Sequence, residues 1–440
     1  MDTRWLIPVP EDVETERLQA EQEGRDLSTL APEFDRLQQR ETVPPAEFFR
    51  LLDRVQTLPS VTENLEPNDF ERIAEQSDFP EPLPFQREEL EDRIRGAWRG
   101  RVAGCLLGKP VETWPRSQIE TMLRETGQGP PLRDFLRPWH PLNRYGPIAP
   151  GNEHAFLDGA TEVPEDDDLN YTVLALLLLG RCGREFTTDD VASEWVARLD
   201  PLKTCTAERV AMRNLLAGIR PPKTAIFRNP YREWIGAQIR VDAYGYVSPG
   251  DPATAARMAW TDARLSHVRN ALYASQFVAA MIASAFAVDT IQTVVECGVR
   301  CVPTGSRLRR SLEKVQEEAK NLNATAALDA IHSRWDETRQ HDWCHSISNA
   351  EVVTWALLQG DGDFDRSVCM AVEAGFDTDC NAATVGSILG ALHGATALEG
   401  TLAGRVTRLP VRTGVRQAER IGEEEFVERA LSVIARLLSS

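Results

Sequence analysis

Apolar residues along this chain recur at helical spacing far more often than in strand-like alternation. Within Ala46–Leu58, the side chains Phe48, Leu51, Leu52 and Val55 fall on one helical face. From about residue 91 the pattern becomes long helices carrying many small residues. Arg93–Gly108 holds Gly96, Gly100, Gly104 and Gly108 at intervals of four, a stripe that lets another backbone come close. Ala382–Ala395 repeats the device with Ala382, Gly386, Gly390 and Gly394. Asp168–Leu179, Ala263–Val288 and Ala350–Leu358 read as buried helices. Alternating β-type runs are scarce, no turn dipeptide joins two of them, and no fixed-period repeat is visible. The expected class is all-α.

Two apolar runs, Val173–Leu179 and Phe277–Val288, fall short of the roughly 20 residues needed to cross a bilayer, so no membrane span is expected. Met1–Pro10 carries Asp2 and Arg4 and reaches Pro8 without a long apolar stretch, so no secretory signal is expected there. The eight cysteines are scattered and form no CxxC pair. Reduced thiols and a cytoplasmic location follow as the expectation.

Of the chain's net charge of −18, residues 1–90 contribute −13, from 22 Asp and Glu against nine Arg. Such a charge argues against a general nucleic-acid binder, because phosphate contacts need a basic surface. Pro80, Pro82 and Pro84 mark a break. We therefore expect an acidic helical extension or small accessory domain over 1–88, a possible site for a protein partner, and a main domain over 89–440. Trp5, Phe34, Phe48, Phe49 and Leu51 call for burial and set this segment apart from a disordered tail.

Pro164-Glu165-Asp166-Asp167-Asp168 stands directly before an apolar helical segment. One or two acids there would cap the helix. Four in succession repel one another beside a buried segment unless a cation compensates. Gly375-Phe376-Asp377-Thr378-Asp379-Cys380-Asn381 has the same layout, with alternate acids in a turn as in hard-cation loops. It lacks the glycine and distal glutamate of an EF-hand, and Ala103 breaks the phosphate-loop pattern ahead of Gly108-Lys109. Two such clusters some 200 residues apart suggest one binuclear, oxygen-rich site that favours Mg²⁺ or Mn²⁺ over zinc.

Gly96–Glu112, Glu165–Asp168 and Gly375–Gly394 together resemble the three signature blocks of the ADP-ribosylglycohydrolase family, in order and in spacing, over roughly residues 91–400. The resemblance implies an all-α, orthogonally packed bundle with two divalent cations, Mg²⁺ or Mn²⁺, at its centre. The family's first metal motif, Thr-Asp-Asp, falls on Glu165, Asp166 and Asp167. Its second, Asp-x-Asp-Thr, falls on Asp377, Asp379 and Cys380, so Glu and Cys stand where relatives carry Thr. Glu112 matches a glutamate that gates the site and assists proton transfer. The implied reaction is hydrolysis of the N- or O-glycosidic bond of an ADP-ribosylated protein or small ADP-ribosyl compound. Asp166 or Asp379 would help deprotonate the water and Glu112 would act as acid/base. Two other readings stay open: the same chemistry on another ribosyl or glycosyl compound, and a non-catalytic ADP-ribose-binding or structural protein on the same fold.

Weaker constellations remain. His341, Cys344 and His345 have partial zinc spacing but no evident fourth ligand. His345 and Asn349 either line the substrate pocket or pack a helix. Tyr244, Gly245 and Tyr246 lie in a stretch, Asp242–Gly250, that is either a plain turn or a wall for ribose or adenine, as the similar stretch in relatives is. His267 and Asn270, early in a buried helix, read either as satisfied core residues, the reading favoured, or as site residues.

Overall fold

The two glycine stripes face each other. In the computed structural model, which describes residues 7–437, the Leu90–Gly108 and Thr378–His393 helices run antiparallel with their backbones in contact. A Cβ built on Gly96, Gly100, Gly104 or Gly108 would land inside 3.0 Å of the backbone at Gly390, Gly386, Ala382 or Thr378 respectively. Only glycine permits this approach. The pairing order places the C-terminal end of the first helix beside the N-terminal end of the second, where Thr378 Oγ1 donates to the Gly108 carbonyl at 2.9 Å. Both acid-bearing motifs flank this junction.

Around the pair lie the Asp167–Cys182, Asn270–Ala285 and Ser346–Gly360 helices, all in one large apolar core. Every residue of Asn270–Ala285 is buried. The all-α class holds. Among the described residues the strands are Val411–Arg412 and Arg420–Ile421, an antiparallel pair of two residues each, and no helix is long and apolar enough to cross a membrane. The helix expected over Ala263–Val288 is broken. Pro252–Ala263 ends, a turn follows, and Arg269 (φ +50°) precedes a new helix at Asn270. His267 therefore sits in the turn, its Nδ1 2.8 Å from Ser266 Oγ.

Pro10–Gln22, Ala31–Gln38 and Pro45–Thr57 form a small cluster of their own around Val13, Phe34, Leu37, Phe48, Leu51 and Val55. The acids of this segment are not all solvated. Arg232 donates to Glu16 and Glu23, both at 2.7 Å, and Arg307 to Glu66 at 2.8 Å, so a buried and a half-buried arginine of the main body meet buried acids of the extension. Ile73, in the Phe70–Glu75 helix, already belongs to the main core. Trp5 and the Met1–Leu6 part of the segment read for a secretory signal lie outside the described residues.

Candidate metal centre

Asp166 caps the Asp167–Cys182 helix. Its Oδ1 accepts the Asp168 N–H at 2.8 Å, satisfying a free donor at the helix start. Its other oxygen accepts from Lys109 Nζ, which also lies 4.0 Å from Asp379. Asp168 turns inward to Arg101, a fully buried arginine that donates to the Asp168 carboxylate at 3.0 Å and to Thr172 Oγ1 at 2.8 Å and pairs with Asp242 at 3.0 Å. Capping thus accounts for Asp166, and an internal ion pair for Asp168. Asp167 is half-buried at the helix start.

The second motif sits on a constrained turn. Gly375 (φ +76°) and Phe376 (φ +56°) are both left-handed, a conformation that strains a non-glycine residue. Phe376 is held there from three sides. Trp343 Nε1 donates to its carbonyl at 2.7 Å, its N–H donates to Glu337 at 3.3 Å, and its ring packs on His332 at 5.0 Å. The Asp377 N–H then donates to Asn349 Oδ1 at 3.2 Å, which also accepts Asn381 Nδ2 at 2.8 Å.

Potential ligand atoms of Asp377, Asp379 and Cys380 lie within 4.8 Å of one another, as do those of Cys105, Asp166, Asp168 and Asp379. Asp379 belongs to both groups. Oδ1 of Asp377 and Oδ1 of Asp379 are buried without a hydrogen-bond partner, which is costly unless something positive meets them. Glu112 joins the centre from the turn after the Leu90–Gly108 helix, its Oε2 accepting Asn152 Nδ2 at 2.7 Å. Asn152 also donates to the Lys109 carbonyl, at 2.8 Å.

The acids outnumber the cations that face them, and their acidities follow. Burial, reinforced by the Glu112 charge, pushes Asp377 up to about 7. Burial, with Glu112 and Asp166, takes Asp379 well above the carboxylate range, and burial with Asp166 and Glu112 does so for Asp167. Burial also raises Glu112, with Lys109 pulling against it. Asp166 is the exception: burial would raise it, but Lys109 prevails and holds it at about 2. Burial pushes the Cys105 and Cys380 thiols up. Two unpartnered oxygens in a carboxylate set of this kind fit a hard divalent cation at Asp377 and Asp379.

Several expectations need correction. Glu165 does not face the centre: its carboxylate turns outward to Lys203 at 2.9 Å and accepts from Asn170 at 3.4 Å. Tyr244, Gly245 and Tyr246 form no pocket wall. They lie in the short Asp242–Tyr246 helix inside the core, where Tyr244 donates to Asp262 and Tyr246 Oη lies against Ser387 Oγ, each at 2.7 Å. Gly245 abuts Ile282. His345 caps the Ser346–Gly360 helix, accepting the Ile347 N–H at 3.1 Å, and stacks on Trp335. Asn349 is buried and holds the Asp377 turn, with no free face for a substrate. The partial zinc spacing also resolves into packing, since His341 Nδ1 accepts from Trp234 and its ring meets that of His345 edge-on at 5.0 Å.

Sequence reasoning passed over Lys109, Arg101, Asn152 and Glu337. For Lys109 a signal existed: it lies three residues before Glu112, at the end of the glycine helix, in a chain with only five lysines.

The sequence profile of the ADP-ribosylglycohydrolase family matches residues 86–432. An uncharacterized protein from Archaeoglobus fulgidus is 26% identical over 309 residues, covering 69% of this chain and 88% of that protein. A solved structure described as an ADP-ribosylglycohydrolase-related protein complex aligns with a TM-score of 0.51 at 21% identity, covering 80% of this chain and 99% of that one, and so shares the fold. The profile match begins just before the glycine helix, spans both acidic motifs and reaches into the last helix, and the chain belongs to the ADP-ribosylglycohydrolase family.

Proposed function

We propose that this protein is a divalent-metal-dependent hydrolase that cleaves the glycosidic bond between an ADP-ribosyl group and a protein side chain or small acceptor. The observation that carries this reading is the pair of unpartnered oxygens of Asp377 and Asp379, buried under the charge of Glu112 where two helix ends meet. A bound Mg²⁺ or Mn²⁺ supplies an electrophile for sugar hydroxyls and acidifies a water.

Asp377 and Asp379 would hold the cation, with Cys380 beside them. Glu112 is oriented by Asn152, and burial lets it keep a proton higher up the pH scale than an ordinary carboxyl. That suits a group that hands a proton to the leaving atom and takes one from water. Asp166, held by Lys109, presents negative charge to a sugar ring that becomes cationic in the transition state.

The test is a panel of ADP-ribosylated proteins and free ADP-ribosyl compounds, assayed for sugar release with Mg²⁺ and with Mn²⁺. Asp377→Ala and Asp379→Ala should abolish metal binding and turnover while leaving the far-UV helical signal intact. Turnover surviving either change would sink the assignment. Hydrolysis of another ribosyl or glycosyl compound at the same centre is the second reading, favoured by the outward turn of Glu165. Activity on simple nucleosides without activity on any ADP-ribosyl compound would select it.

A further inference from the structure

The first metal motif turns its leading acid away from the centre, and a lysine enters beside its second. Glu165, the residue at its head, pairs with Lys203 on the outside. Lys109 comes in from the opposite side. Its side chain is buried, its ammonium donates to Asp166, and it lies 4.0 Å from the Asp379 carboxylate that both ligand groups share. The lysine has little freedom to leave. Its carbonyl accepts from Asn152, and the residue before it, Gly108, is pressed against the backbone of Thr378 and Asp379. Of the other acids on that side, Asp168 pairs through Oδ1 with Arg101 while its Oδ2 is left without a partner, and Asp167 is half-buried at the helix start.

Compensation is therefore uneven, because the one ammonium in the centre sits on Asp166. Where the first cation is expected, the positive charge is already part of the chain. Where the second is expected, Asp377 Oδ1 and Asp379 Oδ1 are left without a partner. We propose that Lys109 takes the place of one of the two cations, so that the centre holds a single divalent ion, on Asp377 and Asp379. An ammonium is a compact point charge that can neutralise a carboxylate cluster but repels a metal ion at the same position. Unlike a metal ion, it cannot be chelated away, so Asp166 keeps its partner and its orientation at any metal concentration.

This rests on the metal-dependent reading above, and the experiment separates the two. The full-length protein is stripped with chelator, reloaded with Mn²⁺ and freed of excess, then assayed for bound manganese by elemental analysis and for its electron paramagnetic resonance spectrum. One manganese per chain with an uncoupled six-line spectrum is expected. Lys109→Met should raise the count to two and give a spin-coupled pair, and Asp377→Asn should lower it to none. Two manganese ions in the unsubstituted protein would overturn the role of Lys109 but leave metal dependence standing, whereas none would overturn both. Lys109→Met folded yet still holding one ion would overturn the replacement. If that variant fails to fold by circular dichroism, the count and spectrum of the unsubstituted protein decide the matter alone.

Discussion

Gly100 and Gly386 touch backbone to backbone where the two glycine-striped helices cross, and a Cβ on either would fall inside 3.0 Å of the other's carbonyl oxygen. This contact sets how closely Glu112 and Lys109 approach Asp377 and Asp379. Gly100→Ala would gain about 1 kcal/mol in helix propensity, but overpacking against a rigid backbone should cost about 3 kcal/mol. Urea denaturation should show a net loss. Gly400→Ala, where the added Cβ meets nothing within 4 Å, should leave the midpoint nearly unchanged.

Glu337 accepts the Arg116 N–H at 2.8 Å and the Phe376 N–H at 3.3 Å, clasping the segment that follows Glu112 to the turn that precedes Asp377. Glu337→Ala leaves two backbone donors without their acceptor, at about 1–3 kcal/mol each where buried, and frees a strained turn. The expected outcome is a fall in kcat/KM and in Mn²⁺ affinity of about tenfold or more, the equivalent of about 1.4 kcal/mol. Retained affinity with lost stability would reduce Glu337 to a packing role.

Acid should destabilise the fold through His341. Burial, helped by the charges of Arg232 and Arg307, lowers its pKa from the ordinary 6.5 to about 3. Its Nδ1 accepts the Trp234 N–H at 3.2 Å, so charging the ring would break that bond. The folded pKa lies below the unfolded one. The stability it contributes is present above pH 6.5 and is lost as pH falls toward 3. His341→Gln, which keeps an acceptor but does not titrate, should lose less stability between pH 6.5 and 4 than the parent, by about 3 kcal/mol. Equal slopes in paired denaturation series would contradict this.

Arg232 anchors the N-terminal helices through Glu16 and Glu23, and all three side chains are buried. Arg232→Met strands the buried Glu16 carboxylate, while Glu23 keeps Arg25 at 2.6 Å and Arg269 at 3.5 Å, at a cost of about 3–5 kcal/mol. Limited proteolysis should then cut first within residues 10–57, before the main core opens. An unchanged cleavage pattern would mean that the apolar contacts of the extension suffice without the ion pairs.

Much of this organisation is legible in the chain itself, because it rests on local periodicity. Residues three and four apart share a helix face wherever the helix packs, so the all-α class and the Pro45–Thr57 helix follow from spacing. The Gly96–Gly108 and Ala382–Gly394 stripes likewise announce close backbone approach, and the acids before two buried helices announce a charged junction. What no local pattern holds is which distant groups meet. The burial of Tyr244 and Tyr246, the outward turn of Glu165, the clasp of Glu337 and the pairing of the extension's acids with Arg232 and Arg307 depend on contacts across tens to hundreds of residues. Lys109 stands in the same position. By sequence it is a rare lysine near Glu112, and its charge counts only because packing brings it between Asp166 and Asp379. Identity and spacing determined that acids would gather here. Only the tertiary structure decided which of them a lysine already neutralises, because charge compensation is set by distance in space.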